Sequence, residues 1–221
     1  MTGRLIAWAL TISLVLPACG GGDSDQVPLS ELGDASALVW CAKVFNCCTD
    51  EEMESFTFNN VLECRTQVGL ALGEYMVSPM QAAIATGRGE YNGQNALACL
   101  EAFRALGCVG ANNPQDFFDN CQSPWTALQT DGEPCASIFE CGGGTYCSQD
   151  TDHCVTPAAE NQACTPDQDP YCEAQLYCDG TNCRVRKAEN DACAADGECA
   201  LGTRCTMGVC TAIEPTCTGR T

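Results

Sequence analysis

Histidine and basic residues are nearly missing from this chain. Of 221 residues one is His, His153, and Lys and Arg together number 10 against 29 Asp and Glu. A single imidazole excludes any mechanism or metal centre that needs two. The formal charge of −19 leaves no basic patch to neutralise phosphates. That excludes nucleic acid as a partner, and charge-driven adhesion to anionic headgroups. No C-x2-C spacing occurs, so zinc-finger and thioredoxin-type motifs are absent. There is no G-x-S-x-G elbow, and Gly142-Gly143-Gly144 lacks the lysine and following helix of a phosphate-cradling loop. Apolar side chains also run short. Between residues 131 and 221, Val, Ile, Leu, Met and Phe number nine, with no Trp. Nine such side chains cannot offset a backbone entropy of about 1–2 kcal/mol per residue. That stretch is either disordered or held covalently.

Cysteine is what the chain has in quantity: 21 residues, the density of a disulfide scaffold. Thirteen of them fall in the apolar-poor stretch, which selects covalent stapling. The N-terminus says where they oxidise. Arg4 precedes a 12-residue, mainly apolar run from Leu5 to Leu16, too short to span a bilayer and right for an export signal, residues 1–18. The run closes on Leu16-Pro17-Ala18-Cys19, which resembles the lipobox of bacterial lipoproteins, with Pro17 an unusual choice at the tolerant position. The resemblance implies acylation of Cys19 as the first mature residue, and residues 19–29, beginning Gly20-Gly21-Gly22, as a tether. No Asp follows Cys19 directly, which points to the outer membrane. Outside the cytoplasm thiols pair, and setting Cys19 aside leaves 20 cysteines, enough for ten bridges.

Two regimes follow. Residues 30–125 form an expected helical domain containing Cys41, Cys47, Cys48, Cys64, Cys99, Cys108 and Cys121. Leu38, Cys41, Phe45 and Cys48 recur at helical spacing. Asn60 with Glu63 is a variant capping box ahead of a face of Val61, Cys64, Val68, Leu72 and Tyr75. Ser78-Pro79 reads as a fresh N-cap for a short helix to Thr86, with Gly87 as its stop. Asn92 or Asn95 caps a last helix with Leu97, Leu100, Phe103 and Leu106 inward and Gly107 at C′. The acidic run Asp50-Glu51-Glu52 with Glu54 reads as solvated charge favouring a helix N-terminus.

The distal regime is periodic. Cys135, Cys141, Cys147 and Cys154 form a first unit (131–158). Cys164, Cys172, Cys178 and Cys183 form a second (159–187), and Cys193, Cys199, Cys205 and Cys210 a third (188–213). Unit starts are 29 residues apart both times. Ala159-Glu160-Asn161-Gln162-Ala163-Cys164 repeats as Ala188-Glu189-Asn190-Asp191-Ala192-Cys193, and Gly144-Thr145-Tyr146-Cys147 as Gly202-Thr203-Arg204-Cys205. With the Glu140-Cys141 and Glu198-Cys199 pairs, this pattern resembles the Dickkopf N-terminal cysteine-rich repeat found in lipoproteins of myxobacteria and their relatives. The second unit departs, with Tyr171 before its second Cys. The resemblance implies architecture and location; the receptor antagonism of the animal proteins is not carried over.

The fold class expected is therefore a mainly α, disulfide-bonded N-terminal domain followed by small disulfide-rich repeats with short β-hairpins. Four cysteines allow three pairings, of which we favour first-to-third with second-to-fourth. Cys217, in the tail 214–221, closes the odd count by bridging back to the helical part, to Cys121, or between molecules.

No chemistry beyond sulfur stands out. His153 reads as a surface-loop residue, and no cofactor or metal is implied, although Asp150 with Asp152, or Asp167 with Asp169, are weighed as loose calcium ligands. The binding candidates are Tyr146 and Tyr177, which hold the same place in successive units. The expectation is a non-catalytic, lipid-anchored cell-envelope protein. Its contacts are the membrane through the anchor, and a protein or glycan through the repeats. The alternative is a protease inhibitor or small-ligand binder acting through the loop 148–153.

Overall fold

The computed structural model describes residues 25–54, 56–108, 123–166, 169, 171–212 and 217. The expected signal at residues 1–18, Cys19 and Cys121 lie outside these residues. The fold is the expected one, a disulfide-bonded helical region followed by three two-strand hairpin units.

Helix α1 spans Leu29–Cys47 and starts well before Leu38. Ala37, Cys41 and Val44 share its buried face, pinned to the next long helix by the Cys41–Cys64 bridge. Leu38, about 100° round from Ala37, turns outward and is 40% exposed; it is not the core residue the spacing indicated. Helix α2, Asp50–Met53, is one turn closed by a capping box: Thr49 N–H donates to Glu52 at 2.6 Å and Glu52 N–H to the Thr49 hydroxyl at 3.3 Å. Helix α3, Val61–Leu72, is capped as expected by Asn60, whose side chain accepts Glu63 N–H at 2.9 Å.

The break expected at Ser78 does not occur. A π-helical turn, Gly73–Val77, carries α3 directly into α4, Ser78–Ala85, and Ser78 N–H reaches back to the Gly73 carbonyl. Pro79 has no N–H to supply, and the wide turn relieves the clash its ring would otherwise make with the preceding turn. The extra residue also rephases the helix. Tyr75 swings out to 74% exposure, while Val77 and Met80 are buried. At the far end Gly87, at φ +70°, forms a Schellman stop: Gly87 N–H bonds the Ile84 carbonyl and Arg88 N–H that of Ala83. Helix α5, Gly93–Ala105, is capped by Asn92, and its last carbonyls, Arg104 and Leu106, receive the Lys43 ammonium from α1.

Two apolar clusters result. One gathers Leu32, Val39, Val77, Met80 and Leu100, with Trp125 and Phe139 packed against it. The other surrounds the sulfurs of Cys41, Cys47, Cys48, Cys64 and Cys217 with Val44 and Phe58, and with Trp40, Phe45 and Phe56 beside them. Each cluster thus takes a residue from one end of the repeat array.

Strands β1 (Gly89–Tyr91) and β2 (Trp125–Ala127) pair antiparallel and deliver the chain to the first unit. The units are the hairpins β3 (Tyr146–Cys147) with β4 (Cys154–Val155), β5 (Leu176–Cys178) with β6 (Cys183–Val185), and β7 (Thr203–Thr206) with β8 (Val209–Ala212). In all three the bridges run first-to-third and second-to-fourth.

The repeated flanking residues now have a reason. Glu133, Gln162 and Asp191 each accept, through the side chain, the N–H three residues earlier. The residue before each stands in the left-handed region, Gly132 at φ +81°, Asn161 at +66° and Asn190 at +74°. There glycine is free of strain, and Asn is among the side chains best tolerated. The amides of those three residues donate to the fourth-cysteine carbonyls at 2.7–2.8 Å.

Both ends of the array are fastened. At the start, Trp125 Nε1 donates to the Phe139 carbonyl at 2.7 Å, and Arg88 pairs with the buried Glu140 at 3.0 Å. At the end, Cys217 bridges to Cys48, not to Cys121. Cys48 follows the last residue of α1 beside Cys41 and Cys47, in the sulfur-rich cluster that takes Cys217. Cys47 pairs with Cys108, and Cys99 is oxidised as well. Five residue steps from Ala212 to Cys217 reach at most ~18 Å, so the third unit ends beside the helical region.

Candidate functional site

The units meet without linkers, and the joints are where unspent side chains gather. At the first joint the Tyr146 hydroxyl accepts Tyr171 N–H at 3.0 Å, the two rings meet edge-on at 5.1 Å, and Ser148 Oγ bonds Asp169. Burial above all, with the nearby Asp169 carboxylate, pushes the Tyr146 phenol above its ordinary pKa. Tyr171 is free for this because the second unit lacks the glutamate of the other two. Glu140 and Glu198 accept the N–H of the residue after the first cysteine, Ala136 at 2.9 Å and Ala194 at 3.1 Å, and each takes a cation. The Glu198–Lys187 pair lowers the acid's pKa and raises the base's, the hydrogen bond between them being the largest cause for both. The departure visible in the sequence at Tyr171 therefore marks a joint.

At the second joint Arg186 crosses from β6 to the third unit, donating through Nη1 to the carbonyls of Gly197 at 2.6 Å and Cys199 at 3.3 Å. Beside it opens a cleft of about 560 Å³ whose lining includes Tyr171, Leu176, Tyr177, Asp179, Arg186 and Glu198. Leu176 is buried, and Tyr177 is half-buried. Arg186 Nε lies buried in the wall with no acceptor. The Asp179 carboxylate is fully engaged, accepting from Asn182 N–H at 2.8 Å, from the N–H and hydroxyl of Thr181, and from Arg184 Nε at 3.0 Å. These bonds hold its pKa well below the usual carboxylate range. A carboxylate so committed is a poor proton acceptor, while the tyrosine rings and the guanidinium suit recognition of a flat or anionic group.

The two tyrosines singled out by their repeat position thus serve different joints. Tyr146 is spent within the first, and Tyr177 faces the open cleft of the second; the third unit has exposed Arg204 in that place. Periodicity found both positions but could not place them, because it does not say which face the next unit covers. It missed Arg186, whose backbone N–H bonds Gln175 while its side chain reaches across. A base just ahead of the Ala-Glu-Asn repeat was the signal available. Arg88 and Lys43 were equally silent, since their partners are 52 and 61 or more residues away.

His153 is exposed in the β3–β4 loop, with Nδ1 at 2.5 Å from the Thr151 carbonyl. Asp150 and Asp152 lie in the same loop, Asp152 at φ +55°; Asp169 accepts from Ser148 through Oδ2 while its Oδ1 is buried without a hydrogen-bond partner, and Asp167 is outside the described residues. The cysteine triplets that come within ligand distance of one another, such as Cys135, Cys141 and Cys154, do so because the two bridges of a unit pack together. All are oxidised and offer no thiolate. No protein family, curated protein or solved structure matches the chain.

Proposed function

We propose that this is a bacterial lipoprotein of the cell envelope, anchored by acyl chains on Cys19, whose three Dickkopf-like repeats form a non-catalytic module for binding a protein or a glycan. The disulfides require an oxidising, extracytoplasmic setting, and among the described residues no helix is long and apolar enough to cross a membrane. The anchor reading rests on the lipobox resemblance, and several acyl chains, at about 0.8 kcal/mol per buried methylene, would hold it firmly. The absence of an acid after Cys19 favours the outer membrane.

The observation that carries the binding reading is the cleft at the second joint. The bridges fix each unit, and the bonds of Arg186 and Lys187 to residues 197–200 hold the two together around it. It presents Tyr177 and Arg186, and its carboxylate is bound up in hydrogen bonds. Photo-crosslinking on intact cells from a probe at Thr165, on the cleft wall, tests it by identifying what is captured. Substituting Tyr177→Ala and deleting the third unit should each abolish capture of the same partner. Capture that survives both changes, or an envelope indifferent to deletion of the gene, would sink the reading.

The alternative is an inhibitor acting through the loop 148–153. That loop is braced inward, with Thr151 N–H on Ser148 Oγ and Ser148 in turn on Asp169. Loss of activity on changing this loop alone would select the inhibitor reading instead.

A further inference from the structure

Residues 61–85 form one continuous helical segment, α3, the π turn and α4. Its outer face is unusual for this chain. Its fully exposed charges are Arg65 and Glu74, which cancel, and the half-buried Glu63 spends its carboxylate on Asn59. The rest include Leu62 and Leu70, each 70% exposed, Tyr75 at 74%, Ile84 at 42%, and Ala71, Ala82 and Ala85. A molecule with 29 acids and 10 bases thus keeps a nearly neutral, partly apolar face about 37 Å long. Elsewhere the surplus of carboxylates works against approach to an anionic surface.

The placement of this face is informative. Gly33, in the second turn of α1, packs on the π turn, where an added Cβ would lie 3.3 Å from Gly73 N and 3.4 Å from the Gly69 carbonyl. Leu29 and Met76 pack on the same apolar cluster. Tyr75 and Leu70 therefore sit at the end of the helical region where the chain arrives from Cys19. Nine residue steps separate Cys19 from Pro28, a reach of at most ~32 Å. If Cys19 is acylated, this face never leaves the neighbourhood of the bilayer, and a weak affinity suffices because the second contact is intramolecular.

We propose that the outer face of residues 61–85 docks on the lipid surface that holds the anchor, with Leu62 and Leu70 in the headgroup–acyl boundary and Tyr75 at the interface. The inference rests on the lipoprotein reading. Interfacial helices bury an apolar face in this way, and tyrosine is enriched at membrane–water boundaries. The extra residue of the π turn is what brings Tyr75 out beside Leu70. Docking would hold the helical region down on the membrane and leave the repeat array to face its partner.

The test uses the mature, acylated protein with Tyr75→Trp, an exposed site that tolerates the larger ring, reconstituted in phosphatidylethanolamine–phosphatidylglycerol vesicles carrying brominated acyl chains. After subtraction of the Trp40 and Trp125 signal, measured on the parent protein in the same vesicles, the introduced indole should lose most of its emission. Leu62→Gln with Leu70→Gln should restore the emission. A control tryptophan replacing the exposed Leu201 of the third unit should stay unquenched. An unquenched indole on acylated protein overturns the docking. So does an indole that is shifted to the blue without bromine quenching in a dimeric sample, which would assign the face to a second copy. The mass of the N-terminal peptide separates the two ideas: lack of acyl chains on Cys19 overturns the lipoprotein reading itself.

Discussion

The bridge between Cys48 and Cys217 should be the costliest single link to remove. Cys48→Ala with Cys217→Ala deletes it without leaving a lone thiol to reshuffle. The two residues are 169 positions apart, and a free loop of that size gives about 5 kcal/mol of unfolded-state entropy. The other bridges shorten that loop. Passing through Cys47–Cys108 and the second-to-fourth bridges of the units, the covalent path falls to about 80 residues, and the entropy to about 4.5 kcal/mol. Both sulfurs are buried, Cys48 at 0% and Cys217 at 3% exposure, so lost packing adds about 1 kcal/mol. A chain of this size shifts its Tm by about 2–4 °C per kcal/mol. The melting temperature, measured without reductant, should therefore drop by roughly 11–22 °C. Small-angle scattering should show a larger radius of gyration, because the third unit is released while Trp125, Phe139 and the Arg88–Glu140 pair still hold the first. A Tm within about 2 °C of the parent, with unchanged scattering, would refute the claim that this bridge clamps the array.

Three further outcomes follow from the geometry. Arg88→Met leaves the 2%-exposed Glu140 with Ala136 N–H as its remaining donor and should cost about 1–3 kcal/mol in denaturant unfolding, whereas Glu140→Gln, which keeps an acceptor for that amide, should cost less. Asn190→Ala puts a side chain without local hydrogen bonding into the left-handed region and should destabilise by about 1 kcal/mol, while Asn190→Gly should be neutral or better; equal effects of Ala and Gly would contradict the strain argument. The Asp179 carboxylate has a folded pKa below its unfolded one, so its contribution to the β5–β6 turn is complete above the ordinary carboxylate range and is lost only as pH falls through the lower folded value. An acid titration followed by NMR should show the Thr181 and Asn182 amides keeping their shifts to a pH below the ordinary carboxylate range.

Much of this molecule is written in one dimension. The repeated spacing of Cys135 to Cys210 specifies three like units, because a short stapled hairpin depends on local turns and on the distances between its own cysteines. Asn60, Asn92 and Gly87 mark helix ends for the same reason: a cap is a bond between near neighbours in the chain. Oxidation is likewise legible, from the density of cysteines in a stretch that has few apolar side chains. What sequence could not decide involves partners far apart. Cys217 needed a cysteine in the helical part, but only the position of Cys48 beside the Cys41–Cys64 and Cys47–Cys108 bridges determined which. The π turn moved Tyr75 from the inner face to the outer one, a change of a single residue in helical phase that no periodicity of apolar positions encodes. The cleft by Tyr177 and Arg186 exists only because two units pack against each other. Local rules fix each unit, and the packing of unit on unit and of the array's ends on the helices creates the surfaces that no single segment carries.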